Sequence, residues 1–156
     1  MARDDSCSMT NRISNRALIL MMKKLLLSVL PILQSCTGDP PDNLGVYENK
    51  LTRCPNSPNC VSSFDNKKPH AIRPIRAKLE KIESTLASLD NANIVERSSN
   101  YIRAEFKSRF MGYVDDVEFL YDEFEGISHV RSASRIGFSD LGVNRRRVEK
   151  IRSLVE

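Results

Sequence analysis

NIVERSSNYIRAEFK, residues 93–107, is the stretch that decides the fold of this chain. From Tyr101 onward, Ile102, Ala104 and Phe106 alternate with Arg103, Glu105 and Lys107, a period of two that gives a strand one buried and one wet face. NIVER at 93–97 reads as a second strand, and Ser98-Ser99-Asn100 between the two is a tight-turn sequence. The two runs therefore form an antiparallel hairpin. Downstream, VEFLYDEF at 117–124 and ISHVRSAS at 127–134 flank Glu125-Gly126 and predict a second hairpin.

Helical periodicity brackets these four strands. In PIRAKLEKIESTLASL, residues 74–89, Ile75, Leu79, Ile82, Leu86 and Leu89 recur at spacings of four and three, one apolar stripe along an amphipathic helix whose first turn suits Pro74. A last helix over 145–155 places Val148, Ile151 and Val155 on one face, with Asn144 positioned to cap its start. Helix, four strands and helix with short connections indicate an α+β fold, a four-stranded antiparallel sheet with two helices packed on one face. With 156 residues, 28% charged and 40% hydrophobic, the chain has room for one globular domain, which we bound at 51–156.

What precedes that domain reads as an address. In MMKKLLLSVLPILQSC, residues 21–36, Lys23 and Lys24 form a positive head, and Leu25 to Leu33 is far shorter than the roughly 20 residues of a membrane-spanning helix. The run ends in Leu33-Gln34-Ser35-Cys36, which resembles the lipobox of bacterial lipoproteins. That resemblance implies a lipoprotein signal peptide over 21–35, lipidation at Cys36 and a polar tether over 36–50, whose TGDPPDN is rich in turn formers. Residues 1–20 are polar and unlike a signal. Either translation begins at Met21 or Met22, or this extra segment stays in the cytoplasm; N-terminal mapping of the precursor decides between them.

Charge and cysteine usage follow from that processing. The whole chain carries a formal +4. Removal of residues before Cys36 takes away five basic side chains (Arg3, Arg12, Arg16, Lys23, Lys24) and two acidic ones (Asp4, Asp5), leaving 19 against 18. A net of +1 provides no sustained basic surface, which argues against nucleic acid as a partner. With Cys7 removed or cytoplasmic and Cys36 lipidated, Cys54 and Cys60 are the pair left in an oxidising space. A disulfide is their natural use, because Pro55 and Pro58 favour turns that bring the two together. Metal binding would want closer cysteines and more ligands than His70 and His129 supply. A redox-active pair more often has two intervening residues.

For a ligand site, the densest polar constellation runs from the last strand into the last helix. Arg131, Ser134, Arg135, Asp140, Asn144 and Arg145 are the candidate anion-binding residues, since a helix start attracts anions and arginines offer forked donors. The competing reading is structural: Asp115 and Asp116 pair with the same arginines and lock sheet to helix. Enzyme signatures are sparse. His129 with Ser134 and Asp115 makes a hydrolase triad on paper, yet Gly-x-Ser-x-Gly, phosphate-cradling loops and dinucleotide fingerprints are missing from the sequence. No catalytic residue, metal or cofactor is assigned. Phe110, Met111 and Tyr113 are either edge packing or an exposed recognition patch.

Three ordered blocks, RCPNSPNCVSS, FMGYVDDVEF and HVRSASRIGFSDLGVNRRRVE, resemble the bacterial lipoprotein family of domain of unknown function 1499, over roughly residues 50–155. The resemblance implies small exported or membrane-attached proteins and supplies no catalytic residues. The sequence thus leads to a lipid-anchored extracytoplasmic protein on the periplasmic face of the cell envelope. Its partners are the membrane, through the anchor, and a small anionic ligand or another envelope protein. In a host with two membranes, Thr37 after the lipidated cysteine indicates the outer one, and confinement to the inner membrane on fractionation would contradict this. The alternative is a small envelope enzyme, hydrolytic or thiol-dependent, using His129 with a serine or using Cys60.

Overall fold

The computed structural model describes residues 38–109 and 111–156 of the chain. The extra segment 1–20, the signal peptide 21–35 and the lipidation site Cys36 lie outside the described residues. Chain order is β1 (Val46–Tyr47), β2 (Lys50–Leu51), β3 (Cys60–Ser62), α1 (Leu79–Ala87), β4 (Ala92–Arg97), β5 (Tyr101–Lys107), β6 (Val114–Asp122), β7 (Ile127–Ser134) and α2 (Val143–Val155). The fold is α+β, but the main sheet has five strands and not four, in the order β3-β7-β6-β5-β4 and antiparallel throughout. The added strand is Cys60–Ser62, paired with Ala133, Ser132 and Arg131. Three residues are too few to show a period of two, so pairing defines this strand where pattern does not.

Both helices lie on one face of the sheet. That face presents Ile102, Ala104 and Phe106 from β5, Val117 and Phe119 from β6 and Val130 from β7. Leu79, Ile82 and Leu86 of α1 and Val148, Ile151 and Val155 of α2 close over them as a single core. The α1 helix is shorter than its apolar stripe suggests. Ile75 is fully buried, yet its backbone exchanges two 2.8 Å hydrogen bonds with Ser128, continuing the edge of β7 instead of a helical turn. Pro74 precedes the helix, and its carbonyl accepts from Arg152 Nη1 at 2.6 Å.

Two further boundaries differ from the reading of the sequence. Strand β6 begins at Val114, because Asp115 and Asp116 are strand residues whose charge conceals their burial. Helix α2 begins at Val143, and Asn144 is not its cap. Asp140 does that work, its carboxylate accepting from the Gly142 and Asn144 amides at 2.9 and 2.7 Å. Asn144 is instead fully buried: its amide donates to the Asn59 carbonyl and to Ser134 Oγ, both at 2.9 Å, while its oxygen accepts from Ser132 Oγ at 2.6 Å.

Candidate functional site

The face of the sheet turned away from the helices is built from charge. Alternation sends Arg103 and Glu105 of β5, Asp116 and Glu118 of β6, and Arg131 of β7 to that side, with Arg135 following at its end. Glu118, 0% exposed, pairs with Arg131, 2% exposed, at 2.9 Å. Its other oxygen accepts from the Tyr101 hydroxyl at 2.9 Å and from the Gly45 amide at 2.7 Å. Asp116 accepts from Arg135 Nε at 2.7 Å and from Arg103 at 3.3 Å, and Glu105 completes the group through a short contact with Arg135. Three arginines thus meet three carboxylates, and the buried charge is balanced.

These contacts set protonation. Burial, followed by the charge and hydrogen bond of Glu118, pushes the Tyr101 hydroxyl far above its ordinary value, so it stays a donor. Hydrogen bonding to Asp116, reinforced by Glu105, raises Arg135 despite its burial.

An arm comprising residues 38–51 crosses this face. Gly38 receives the Arg135 guanidinium on its carbonyl at 3.2 Å, Gly45 reaches Glu118, and Leu51 packs with Tyr101, Leu120 and Phe64. The Cys54–Cys60 disulfide, with Cα atoms 5.6 Å apart, stands next to the arm and fixes the loop that leads into β3. The Cys54 amide donates to Asp65 at 2.9 Å, tying the loop from its other side. Between the arm, this loop and the charged strands lies a cavity of about 130 Å³, bordered by Asn43, Pro55, Asp116, Arg131, Ser134 and Arg135. Arg131 also carries, in its Nε–H, the one buried side-chain polar atom without a hydrogen-bond partner among the described residues. An unmet buried donor costs about 1–3 kcal/mol, so the position favours any acceptor that reaches it.

The sequence-contiguous anion constellation is divided by the sheet. Arg131, Ser134 and Arg135 border the cavity. Asp140 caps α2, Asn144 is enclosed between the sheet and that helix, and Arg145 donates to the carbonyls of Pro69 and Ala71 at 2.7 and 2.8 Å. Arg147 pairs with Asp115 on the helix side and lies 4.9 Å above the Phe106 ring. The chain leaves the sheet after Ser134 and turns into α2 at Val143, so six residues that read as one patch occupy four environments.

His129 is likewise not beside the partners expected for it. Ser134 and Asp115 are register neighbours at the other end of β6 and β7, on the helix face, whereas His129 shares the opposite face with Leu120 and Arg131. Its actual serine is Ser63, whose Oγ lies 3.2 Å from His129 Nδ1 and also accepts the Val130 amide at 3.0 Å. No sequence pattern links positions 63 and 129; only the pairing of β3 with β7 does. The ring stacks on Phe64 with centroids 4.3 Å apart. Burial lowers the His129 pKa, against the pull of Asp122 and Glu125. Those two carboxylates and the imidazole each offer a ligand atom within 4.8 Å of the others. A tetrahedral ion with bonds of about 2.0 Å needs ligand atoms about 3.3 Å apart. Asp122 Oδ1 already accepts the Phe124 and Glu125 amides at 2.9 and 3.0 Å, so the trio would have to contract to hold a metal.

The family model described as "Protein of unknown function (DUF1499)" matches residues 50–155, which include the disulfide loop, all five strands of the main sheet and both helices. No curated protein matches the chain. With about two thirds of its length matched, and with the three motif blocks inside that span, the chain belongs to the DUF1499 family of proteins of unknown function.

Proposed function

We propose that this chain is an exported protein held to the cell envelope by a lipid on Cys36, and that its domain is a non-enzymatic binding module. The module takes a small ligand through an anionic oxygen at the cavity beside Arg131, Ser134 and Arg135. The hydrophobic run ending in Cys36 and the Cys54–Cys60 disulfide support export, because structural disulfides persist in oxidising compartments. The observation that carries the binding reading is that Arg131, whose Nε–H is unmet, borders a cavity large enough for a few atoms. Since the arginines of this face are already balanced by carboxylates, the ligand must be compact and reach Arg131 without crowding Asp116.

Acetate is the matching probe, in thermal unfolding at constant ionic strength. The parent chain unfolds at higher temperature as acetate replaces chloride. Arg131→Lys, which keeps a cation for Glu118 and lacks the Nε–H, does not respond. An unresponsive parent chain sinks the binding reading. Intact mass of the membrane-purified protein tests the anchor separately, through a lipid adduct on Cys36.

A second reading, a small envelope hydrolase, is favoured by the 3.2 Å contact between Ser63 and His129. Its thiol-dependent form would need Cys60 released from the disulfide. An activated phosphonate that labels Ser63 in the parent and not in His129→Ala would establish the hydrolase.

A further inference from the structure

We infer that one end of the domain is a membrane-docking surface, made by the β7–α2 loop together with the β5–β6 loop, which seats the protein against a phospholipid bilayer. The inference rests on the lipid anchor proposed above and identifies the part of the domain that the anchor brings to the membrane.

Three observations converge on this end. The first is exposed apolar surface. Phe138 is 77% exposed and Leu141 85%, with Ile136 on the same loop and Val143 at the start of α2 also exposed. Met111, 60% exposed, and Tyr113 stand on the neighbouring β5–β6 loop. The two loops share one end of the sheet, since the Arg135 amide donates to the Val114 carbonyl and Asp115 pairs with Ser134. Apolar and aromatic side chains grouped in this way fit the bilayer interface, where aromatic rings are enriched.

The second is the path of the chain. Gly38 lies directly on this end: its carbonyl is held by Arg135, and a Cβ at Gly38 would come within 2.9 Å of Ile136 Cγ2. Cys36 is two residues earlier and can be no more than about 7 Å from Gly38 along an extended chain. A lipid on Cys36 therefore enters the bilayer beside Ile136, and the loops bearing Phe138 and Leu141 are brought to the interface with it.

The third is charge. Lys107, Arg109 and Arg146 are exposed around these loops, matched in number by Asp39, Asp90 and Asp140. The loop's own acid, Asp140, is turned onto the amides of Gly142 and Asn144. That leaves the three cations at the rim of the apolar centre as the side chains available to headgroup phosphates.

The chain contains no tryptophan, so a single introduced one reports its own surroundings. Phe138→Trp places the reporter in the docking loop. Phe124→Trp, at a 99% exposed position on the β6–β7 loop at the opposite end of the strands, is the control. Each full-length variant is purified from membranes and reconstituted in vesicles of phosphatidylethanolamine and phosphatidylglycerol carrying brominated acyl chains. The expected result is blue-shifted, quenched emission from Phe138→Trp and unshifted, unquenched emission from Phe124→Trp. Adding Leu141→Asp to Phe138→Trp weakens insertion about tenfold and reduces the quenching accordingly.

Intact mass on the same samples keeps the two readings apart. A lipid on Cys36 with no quenching in Phe138→Trp overturns the docking surface and leaves the anchor standing; a protein crosslinked to the loop in that case names the other occupant. Equal quenching in both variants also overturns it, because the domain would then have no preferred orientation. No lipid on Cys36 removes the anchor, and quenching of Phe138→Trp by the same vesicles then supports docking while its loss overturns it.

Discussion

Replacing Glu118 by glutamine interrogates the charged face most directly. The substitution preserves shape and keeps one oxygen to accept from Tyr101 and Gly45, now 2.9 and 2.7 Å away. It places an amide NH₂ where Oε2 stood, 2.9 Å from Arg131 Nη1, so a donor faces a donor and a 2% exposed guanidinium loses its counter-charge. Breaking a buried pair from one side costs about 3–5 kcal/mol, a large share of the about 5–15 kcal/mol that holds a domain together. Arg131→Met alone should cost a similar amount, since it strands the Glu118 carboxylate. The double variant Glu118→Gln/Arg131→Met removes both charges while the glutamine oxygen keeps its two donors, and should return to within about 1 kcal/mol of the parent. Urea unfolding of all four proteins closes the cycle, and single losses of about 3–5 kcal/mol each against a double loss of about 1 kcal/mol amount to a coupling of at least about 5 kcal/mol. A loss below about 1 kcal/mol in Glu118→Gln, or simple additivity in the double variant, would refute the claim that Glu118 and Arg131 form a coupled buried ion pair.

Three other outcomes follow from the same contacts. Cys54→Ser/Cys60→Ser should lower stability by about 2 kcal/mol, the loop-entropy value for so short a ring, and should leave far-UV circular dichroism unchanged. Asn144→Ala abandons the Asn59 carbonyl and two serine hydroxyls inside the structure and should cost about 3 kcal/mol in urea unfolding. For His129, burial puts the folded pKa below the unfolded value of about 6.5, so protons bind the unfolded chain first. Its stability contribution is therefore intact above about 6.5 and is lost as pH falls from there toward the folded pKa, a loss that the unfolding of His129→Gln across the same range should lack.

Much of the fold is legible before any coordinate. The alternation of Ile102, Ala104 and Phe106, the turn at 98–100 and the stripe Leu79, Ile82, Leu86 each state a period and a buried face, and the structure keeps all three. The cysteine pair is legible as well, because two prolines between closely spaced cysteines favour turns that bring them together. These are local properties: residues close in sequence share a strand or helix whose geometry repeats every two or 3.6 positions.

What tertiary structure alone decided is where charge is buried and what touches across distance. Arg131 reads as an anion contact and nothing in the sequence marks Glu118, yet both are among the most buried side chains, because the arm at 38–51 covers them, a contact spanning 73 residues between Gly45 and Glu118. Ser63 meets His129 across 66 residues, and Asn144 meets Asn59 across 85. The apparent patch from Arg131 to Arg145 dissolves because the chain leaves the sheet after Ser134 and turns into α2 at Val143: sequence records order along the chain, whereas the fold separates near neighbours and lets distant segments complete each environment.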